Sequence, residues 1–545
     1  MDRKKFAVVV LLVAVIVAAT VSVARRTWSE LAVPTFSVDR KITKIDMKSL
    51  EAFTETASDW ENKYSHDAIG RCRNPRTGEY TMVDAGGQPL SLPQLSTAPL
   101  PETDPGKKEL RTAARKEGLY NLLVISIDTC RADHLKCYGY NADTSPHLDQ
   151  LAREGVLFEN LTAAASWTVP SHMSMFTSLY PSVHGVQTFR DALGEGVPTL
   201  AQCLADSGYV TAAFVTGPML NRCFGFNRGF QSYDDFTANP SFVQRGGIHN
   251  VVTSPIITDL ATQWLRKHSQ ESFFLFLHYW DCHDDYTPPA PFNRKFDPDY
   301  KGKEHGRYIF YRQDDIVAHI SAMDLAHMEA LYDGGIAYTD ENIGKVLQAL
   351  QDLRLSEKTL VIVLSDHGEA FLEHGKILHG NSLYEEALHV PLIMRLPGVI
   401  PAGKRVAGNV SHIDLMPTAL GLLGQACPSP VQGIDLSPMI LSDKPVPDRL
   451  IYSELAAFHY DLRAIRWGNR KLMGATATIA SAQLEELAGS REKVIAGADL
   501  KRDCPEAALR AFVEGPPSIP KANAAKANEA DEDLLRRIKS LGYTQ

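Results

Sequence analysis

Three short runs decide which architectures this chain can adopt: LYNLLVISID (119–128), SFFLFLHYW (272–280) and KTLVIVLSD (358–366). Each is a nearly unbroken series of β-branched, leucine and aromatic residues, too short for a long helix and lacking the alternation of a half-exposed strand. Runs of that kind are strands buried on both faces, the signature of a parallel sheet covered by helices. Helical spacing fills the intervals, as in PHLDQLAREGVLF (146–158) and AYTDENIGKVLQALQDL (337–353), and VPTLAQCLADSGYVTAAFV (197–215) reads as helix, glycine turn and strand. Alternating strands and helices predict an α/β fold, a large and mostly parallel sheet sandwiched by helices.

The rest of the chain divides around that unit. Residues 1–26 open with Arg3, Lys4 and Lys5 and run apolar from Phe6 to Ala24, as expected for a signal anchor or a signal peptide. Either one places the remainder across a membrane, tethered by a transmembrane helix in the first case and periplasmic if the source is bacterial. Residues 27–118 are mixed and weakly periodic, with a Pro-, Gly- and Ser-rich stretch DAGGQPLSLPQLSTAPLPETDPGKK, and read as a stalk or linker, 119–430 as the catalytic unit, and 431–515 as a smaller subdomain. Within that subdomain DRLIYSELAAFHYDLRAIRWGNRKLMGA supplies strands for a second sheet; 516–545 reads as a linker and terminal helix. A net charge of −9 argues against nucleic acid as a partner, which wants a basic face. The eight cysteines form no C-x-x-C pair, which speaks against a zinc knuckle and leaves disulfides open.

Each strong run ends in groups that bind cations: Asp128 after the first, His278, Asp281 and His283 in and after the second, Asp366 and His367 after the third. Singly, such an Asp is usually a helix cap and such a His a satisfied polar group. In a parallel sheet, however, the ligand crevice lies beyond the carboxyl ends of the strands. Carboxylates gathered there repel one another unless a cation sits among them. Asp, Asp and His with an oxygen donor suit a divalent metal.

SWTVPSHMSMFTSLYPSVHG (166–185) places Thr168 just outside the N-terminus of a helix whose first turn holds Pro170. Helix N-termini attract anions through free N–H groups and the dipole. This segment, together with IDTCRADHLKCYGYN, TSPHLDQLAREGVLFEN, GFNRGFQSYDDF, LYDGGIAYTDENIGKVLQAL, SDHGEAFLEHGKILHG, SLYEEALHVPLIMRLPG and SHIDLMPTALGLLG, resembles the sulfatase family of the alkaline phosphatase superfamily over roughly residues 119–470. The resemblance implies a metal held by Asp128, Asp366, His367 and the nucleophile Thr168, with His283 and His379 in catalysis. His172, His278 and Asp281 would bind the substrate, and loops such as HDDYTPPAPFNRKF and RYIFYRQDD would form the pocket walls. One divalent ion is expected, Mn, Zn, Ca or Mg; the surplus donors leave room for a second.

The chain also departs from the family pattern. Where a typical sulfatase carries Cys or Ser for conversion to formylglycine, Thr168 bears a β-methyl, so no formylglycine is expected. His172 replaces the motif arginine, Asp128-Thr129 replaces an Asp-Asp pair, Asp366-His367 replaces Asp-Asn, and the Gly-Lys-Trp-His segment is missing. Formylglycine hydrate has two hydroxyls and threonine one. A Thr-bound group must therefore be released by attack on its own sulfur or phosphorus. The expectation is a sulfatase-like, metal-dependent hydrolase or transferase of anionic sulfate or phosphate esters. The alternatives are phosphoethanolamine-transferase-like phosphodiester chemistry and an inactive binding protein on the same scaffold.

Overall fold

Strand β1 (Asn121–Ile127) is buried along its whole length and lies at the middle of a nine-stranded sheet, as its unbroken apolar run predicts. This computed structural model describes residues 119–235, 253–476, 479–488 and 491–518, with short strands at Ile69–Arg73, Tyr80–Asp84 and Ala525–Lys526. The apolar run 6–24, most of the stalk and the terminal helix expected near 533–543 lie outside the described residues. No helix among the described residues is long and apolar enough to cross a membrane. The hairpin 69–73/80–84 falls in a separate unit, residues 1–97.

The other main-sheet strands are β2 (Val156–Thr162), β3 (Val210–Phe214), β4 (Ser232–Asp234), β5 (Phe273–Tyr279), β6 (Thr359–Ser365), β7 (His389–Val390), β8 (Leu392–Arg395) and β9 (Lys404–Ser411). Their order is β7-β2-β8-β6-β1-β5-β3-β4, with β9 on the far side of β2. β1 pairs in parallel with both β5 and β6, so the three runs read from the sequence are neighbours. The sheet is mixed and mostly parallel: β7 and β8 run antiparallel to β2, and β8 also to β6. Pro391, which has no N–H for a ladder, falls between β7 and β8. VLF, taken with the preceding helix in the sequence, instead opens β2.

Alternation along the strands sorts the two faces. Leu122, Val124, Phe274, Phe276, Leu360 and Ile362 pack one way, against helices α2 (Thr168–Thr177), α3 (Leu200–Asp206) and α7 (Leu415–Leu422). Leu123, Ile125, Leu275, Val361 and Val363 pack the other way, against α1 (Pro146–Glu154), α4 (Ser254–Lys267) and α6 (Ala322–Asp352). Helix α6 is longer than its sequence pattern predicts and carries Gly334-Gly335 near its middle. A Cβ on Gly335 would lie 2.6 Å from the Asp281 carbonyl, and one on Gly334 the same distance from that of Phe292. The glycine pair thus lets the loop after β5 rest on the helix.

Strands β10 (Ile451–Leu455), β11 (Leu462–Trp467), β12 (Arg470–Ala475), β13 (Gln483–Ala488) and β14 (Arg491–Val494) form an antiparallel meander, the second sheet expected from the sequence. Helix α8 (Glu506–Glu514) buries Ala508 and Phe512 against Ile465, Leu472 and Leu484 of this sheet. The meander is joined to the main sheet by polar bonds. Ser453 Oγ donates to the Ala163 carbonyl at 2.6 Å, the Glu454 N–H to Ala164 at 2.9 Å, and Arg466 pairs with Glu385 at 3.0 Å.

Candidate active site

The period of two that sorts the core also aims the polar groups. Continuing the parity of Leu122 and Val124 gives Ser126 and Asp128; that of Phe274 and Phe276 gives His278; that of Leu360 and Ile362 gives Asp366. All four therefore leave three adjacent strands on the face covered by α2. That helix begins at Thr168 itself, with Trp167 as the N-cap residue, one position earlier than the sequence reading places it. The cluster is closed to water: Asp128, His172, His278, Asp366 and His367 have no exposed surface, and Thr168 is 2% exposed.

Within the cluster the Thr168 hydroxyl lies 3.3 Å from His367 Nε2. The same nitrogen is 3.3 Å from Asp366 Oδ2 and 3.7 Å from Asp128 Oδ1. His367 Nδ1 donates to the Gly368 carbonyl at 3.0 Å, which leaves the lone pair on Nε2. His278 repeats this arrangement, with Nδ1 at 2.9 Å from the Thr216 carbonyl and Nε2 at 3.2 Å from Asp128 Oδ2. His172 Nδ1 meets the Thr168 carbonyl at 3.0 Å and lies 3.4 Å from Asp366 Oδ2, while Ser126 holds Nε2 at 2.9 Å. Asp366 Oδ1 accepts backbone N–H groups of Thr129 and His367, leaving Oδ2 to face the centre.

Four of these atoms, Asp128 Oδ1 and Oδ2, Asp366 Oδ2 and His278 Nε2, are buried with no hydrogen-bond partner among the described residues. Buried lone pairs turned on one another are costly. A divalent cation is the group that satisfies them, and two overlapping sets have the required spacing: Asp128/Asp366/His367 and His172/His278/Asp366. The electrostatics agree. Burial and the charge of Asp128 push Asp366 up to about 6. Burial also opposes charge on Asp128, but His278, His283 and His367 outweigh it and hold that carboxyl well below the usual range.

Beside this centre stand His283 and His379, and their environments drive them apart. Burial works against a charge on His283, yet Asp284, Asp128 and Glu369 raise it to about 10. Its Nδ1 is held by the Asp284 carbonyl and carboxylate, each at 2.8 Å, while Nε2 has no partner among the described residues. The ring stacks on Trp280 at 3.8 Å and meets that of His379 at 4.8 Å. His379 is pushed well below the ordinary range by burial and by His367 and His283; its Nδ1 pairs with Glu369 at 3.0 Å. Thr168 and His379 both line a cavity of about 430 Å³.

Three expectations change on this geometry. Asp281 points away: Oδ1 accepts from the N–H and hydroxyl of Thr253 and Oδ2 from the Ser254 N–H, so the side chain caps α4 instead of touching substrate. His278 lies inside the cluster against Asp128, and His172 is held there by the Thr168 carbonyl and Ser126, so neither is on the cavity wall to touch substrate. The sequence reading also missed the residues that orient the site. Asp284 and Glu369 sit in the quoted HDDY and SDHGE segments and could have been found by adjacency; Thr216, Trp280 and Ser126 carry no local signal. Among the described residues no two cysteines are joined by a disulfide.

The sequence model of the sulfatase family matches residues 120–425. The N-acetylglucosamine-6-O-sulfatase of Bacteroides thetaiotaomicron is 24% identical over 416 residues, covering 62% of this chain and 74% of that one. Human iduronate 2-sulfatase is 26% identical over 396 residues, covering 58% and 72%. The phosphonate monoester hydrolase of Agrobacterium radiobacter shares the fold with a TM-score of 0.58 at 20% identity, over 72% of this chain and 93% of that chain. With the family match extending over more than half its length and a buried donor cluster at the ends of β1, β5 and β6, the chain belongs to the sulfatase family of ester hydrolases.

Proposed function

We propose that this enzyme cleaves anionic monoesters by nucleophilic attack from Thr168, with phosphate-type esters as its better substrates. The observation that carries the reading is the Thr168 hydroxyl 3.3 Å from His367 Nε2, beside the orphaned Asp128 and Asp366 oxygens. Asp128, Asp366, His367 and Thr168 would hold the cation, with His278 close enough to join them. The imidazole donors favour manganese or zinc over calcium, which prefers oxygen. Bound there, a divalent ion supplies the positive charge that acidifies a neighbouring hydroxyl.

The chain's own groups do the rest. Thr168 Oγ1 attacks the central atom as its bond to the alcohol oxygen breaks, and His283, protonated at neutral pH, donates the Nε2 proton to that oxygen. His379, neutral beside it, is free to hold a non-bridging oxygen or the incoming water. Water then attacks the same central atom, returns a proton to His283 and frees Thr168. Because Thr168 has a single hydroxyl, release proceeds at phosphorus or sulfur and not by C–O cleavage. Phosphorus accepts that route more readily, and the phosphonate monoester hydrolase fold is consistent with it. The basic start and apolar run 3–24 support a membrane-tethered, extracytoplasmic location, which protease shaving of intact cells tests.

Paired aryl phosphate, phosphonate and sulfate substrates in ¹⁸O-water test the chemistry. The label is expected in the released inorganic anion, or in the released phosphonate, and never in Thr168. Thr168→Ala is expected to keep its metal content and lose at least 10³-fold in kcat. Full turnover by that variant would end the proposal.

A further inference from the structure

We infer that the alcohol portion of the ester is a hydrophobic chain or ring system that runs from the Thr168 cavity onto helix α5 (Ile309–His319), so that the substrate is an amphiphilic monoester. This rests on the Thr168 reading of the site. The cavity lining around Thr168 and His379 is mixed, and its apolar part comes from Trp167 and Met219, from Phe458 and Tyr460 in the loop after β10, and from Phe310 and Val317 of α5. Phe310, Gln313, Asp314 and Val317 follow one another at helical spacing, so α5 turns a single face to the cavity.

The charges on these walls do not suit a polyanionic saccharide. Among the described residues Lys376 is the sole Lys or Arg lining the cavity, and its ammonium lies over the Tyr460 ring at 5.8 Å. Asp284 and Asp314 face the same space and would repel additional sulfates or carboxylates. Partnered arginines are the usual means of holding several anionic groups, and among the described residues none lines this cavity.

The apolar part of the lining reaches the mouth of the cavity. Val317 lines the cavity and is 46% exposed, which places it at the mouth. Of the large hydrophobic residues exposed among the described residues, four lie between 308 and 323: Tyr308 at 47%, Tyr311 at 60%, Val317 at 46% and Met323 at 59%. The other three, Leu441, Val494 and Val513, are scattered. Apolar side chains that line a reaction cavity out to its mouth mark the course of an apolar ligand. The anionic head then meets Thr168, and the chain follows α5 outward.

The test is the chain-length dependence of kcat/KM for n-alkyl phosphates and n-alkyl sulfates from butyl to octyl, beside monosaccharide 6-phosphate and 6-sulfate. The expected result is a rise of about two- to fourfold per methylene, fourfold being the limit of full burial. Val317→Asp is expected to lower the octyl-to-butyl ratio by at least tenfold. Leu441→Asp, with the same charge placed elsewhere on the surface, is expected to leave that ratio as it was. A flat length dependence, a saccharide ester preferred over the octyl ester, or an unaltered ratio in Val317→Asp overturns the inference while the Thr168 chemistry stands. If no ester is turned over, both fall together.

Discussion

At the scale of single residues, the proposed chemistry draws on two adjacent histidines whose surroundings favour opposite charge states. His283 is raised to about 10 because Asp284, Asp128 and Glu369 outweigh its burial, while His379, 4.8 Å away ring to ring, is held neutral. Pairs of titratable groups driven apart in this way assign acid and base roles. A general acid matters in proportion to the basicity of the group it protonates. His283→Gln is therefore expected to slow an alkyl ester by roughly 10²–10⁴-fold. With a nitrophenyl ester, whose oxygen leaves without help, the loss should be under tenfold. Kinetics on the two substrates decides the matter: equal losses would assign His283 to holding the anion, not to proton transfer. Much of this was legible beforehand. The strand-terminal Asp128, Asp366 and His367 and the helix-terminal Thr168 were all named by position, and they do converge. The division of labour between His283 and His379 was not, because it depends on Asp284 and Glu369 and on burial that no spacing encodes.

At the scale of elements, buried runs and their order were readable where one period dominated. β1, β5 and β6 were each marked by an unbroken apolar run and emerge side by side. What escaped is where tertiary contact overrides local pattern. Asp281 looks like a fourth strand-end ligand, but it is spent on capping α4, whose first N–H groups arrive from nearly thirty residues earlier. Of helix α6 only 337–353 is marked by the sequence pattern, and Gly334-Gly335 just before that stretch lets the loop after β5 approach the helix. A related glycine governs the acid. Gly217 has φ +75°, and a Cβ there would come within 2.3 Å of the Trp280 ring on which His283 stacks. Gly217→Ala is thus expected to cost about 1–3 kcal/mol of stability. It should also reproduce, more weakly, the alkyl-over-nitrophenyl defect of His283→Gln. Calorimetry and the same substrate pair would check it; a normal alkyl-to-nitrophenyl ratio would show that Trp280 does not position His283.

At the scale of the whole molecule, the C-terminal meander is held to the catalytic sheet by charge in a nearly dry junction. Lys471, 1% exposed at its side chain, reaches the Leu383 carbonyl at 3.0 Å, Glu485 at 3.2 Å and Glu385 at 3.3 Å, and also pairs with Glu492. One ammonium shared among three carboxylates leaves an excess of negative charge, which Arg466 offsets at Glu385 but not at Glu485. Burial, only partly countered by Lys471, raises Glu485 to about 8. Its ordinary value is near 4.5, so the folded protein binds one proton more than the unfolded chain between those limits. Stability from this group is therefore complete below about pH 4.5 and is lost as the pH rises through about 8. Glu485→Gln keeps the neutral shape at every pH. Relative to this variant the natural chain is expected to lose about 2–4 kcal/mol between pH 5 and pH 8, at up to about 1.4 kcal/mol per unit. The readout is the difference in melting temperature between the two proteins, measured calorimetrically at each pH. A difference that stays constant from pH 5 to 8 would mean that Glu485 is ionised throughout and that Lys471 alone balances the junction.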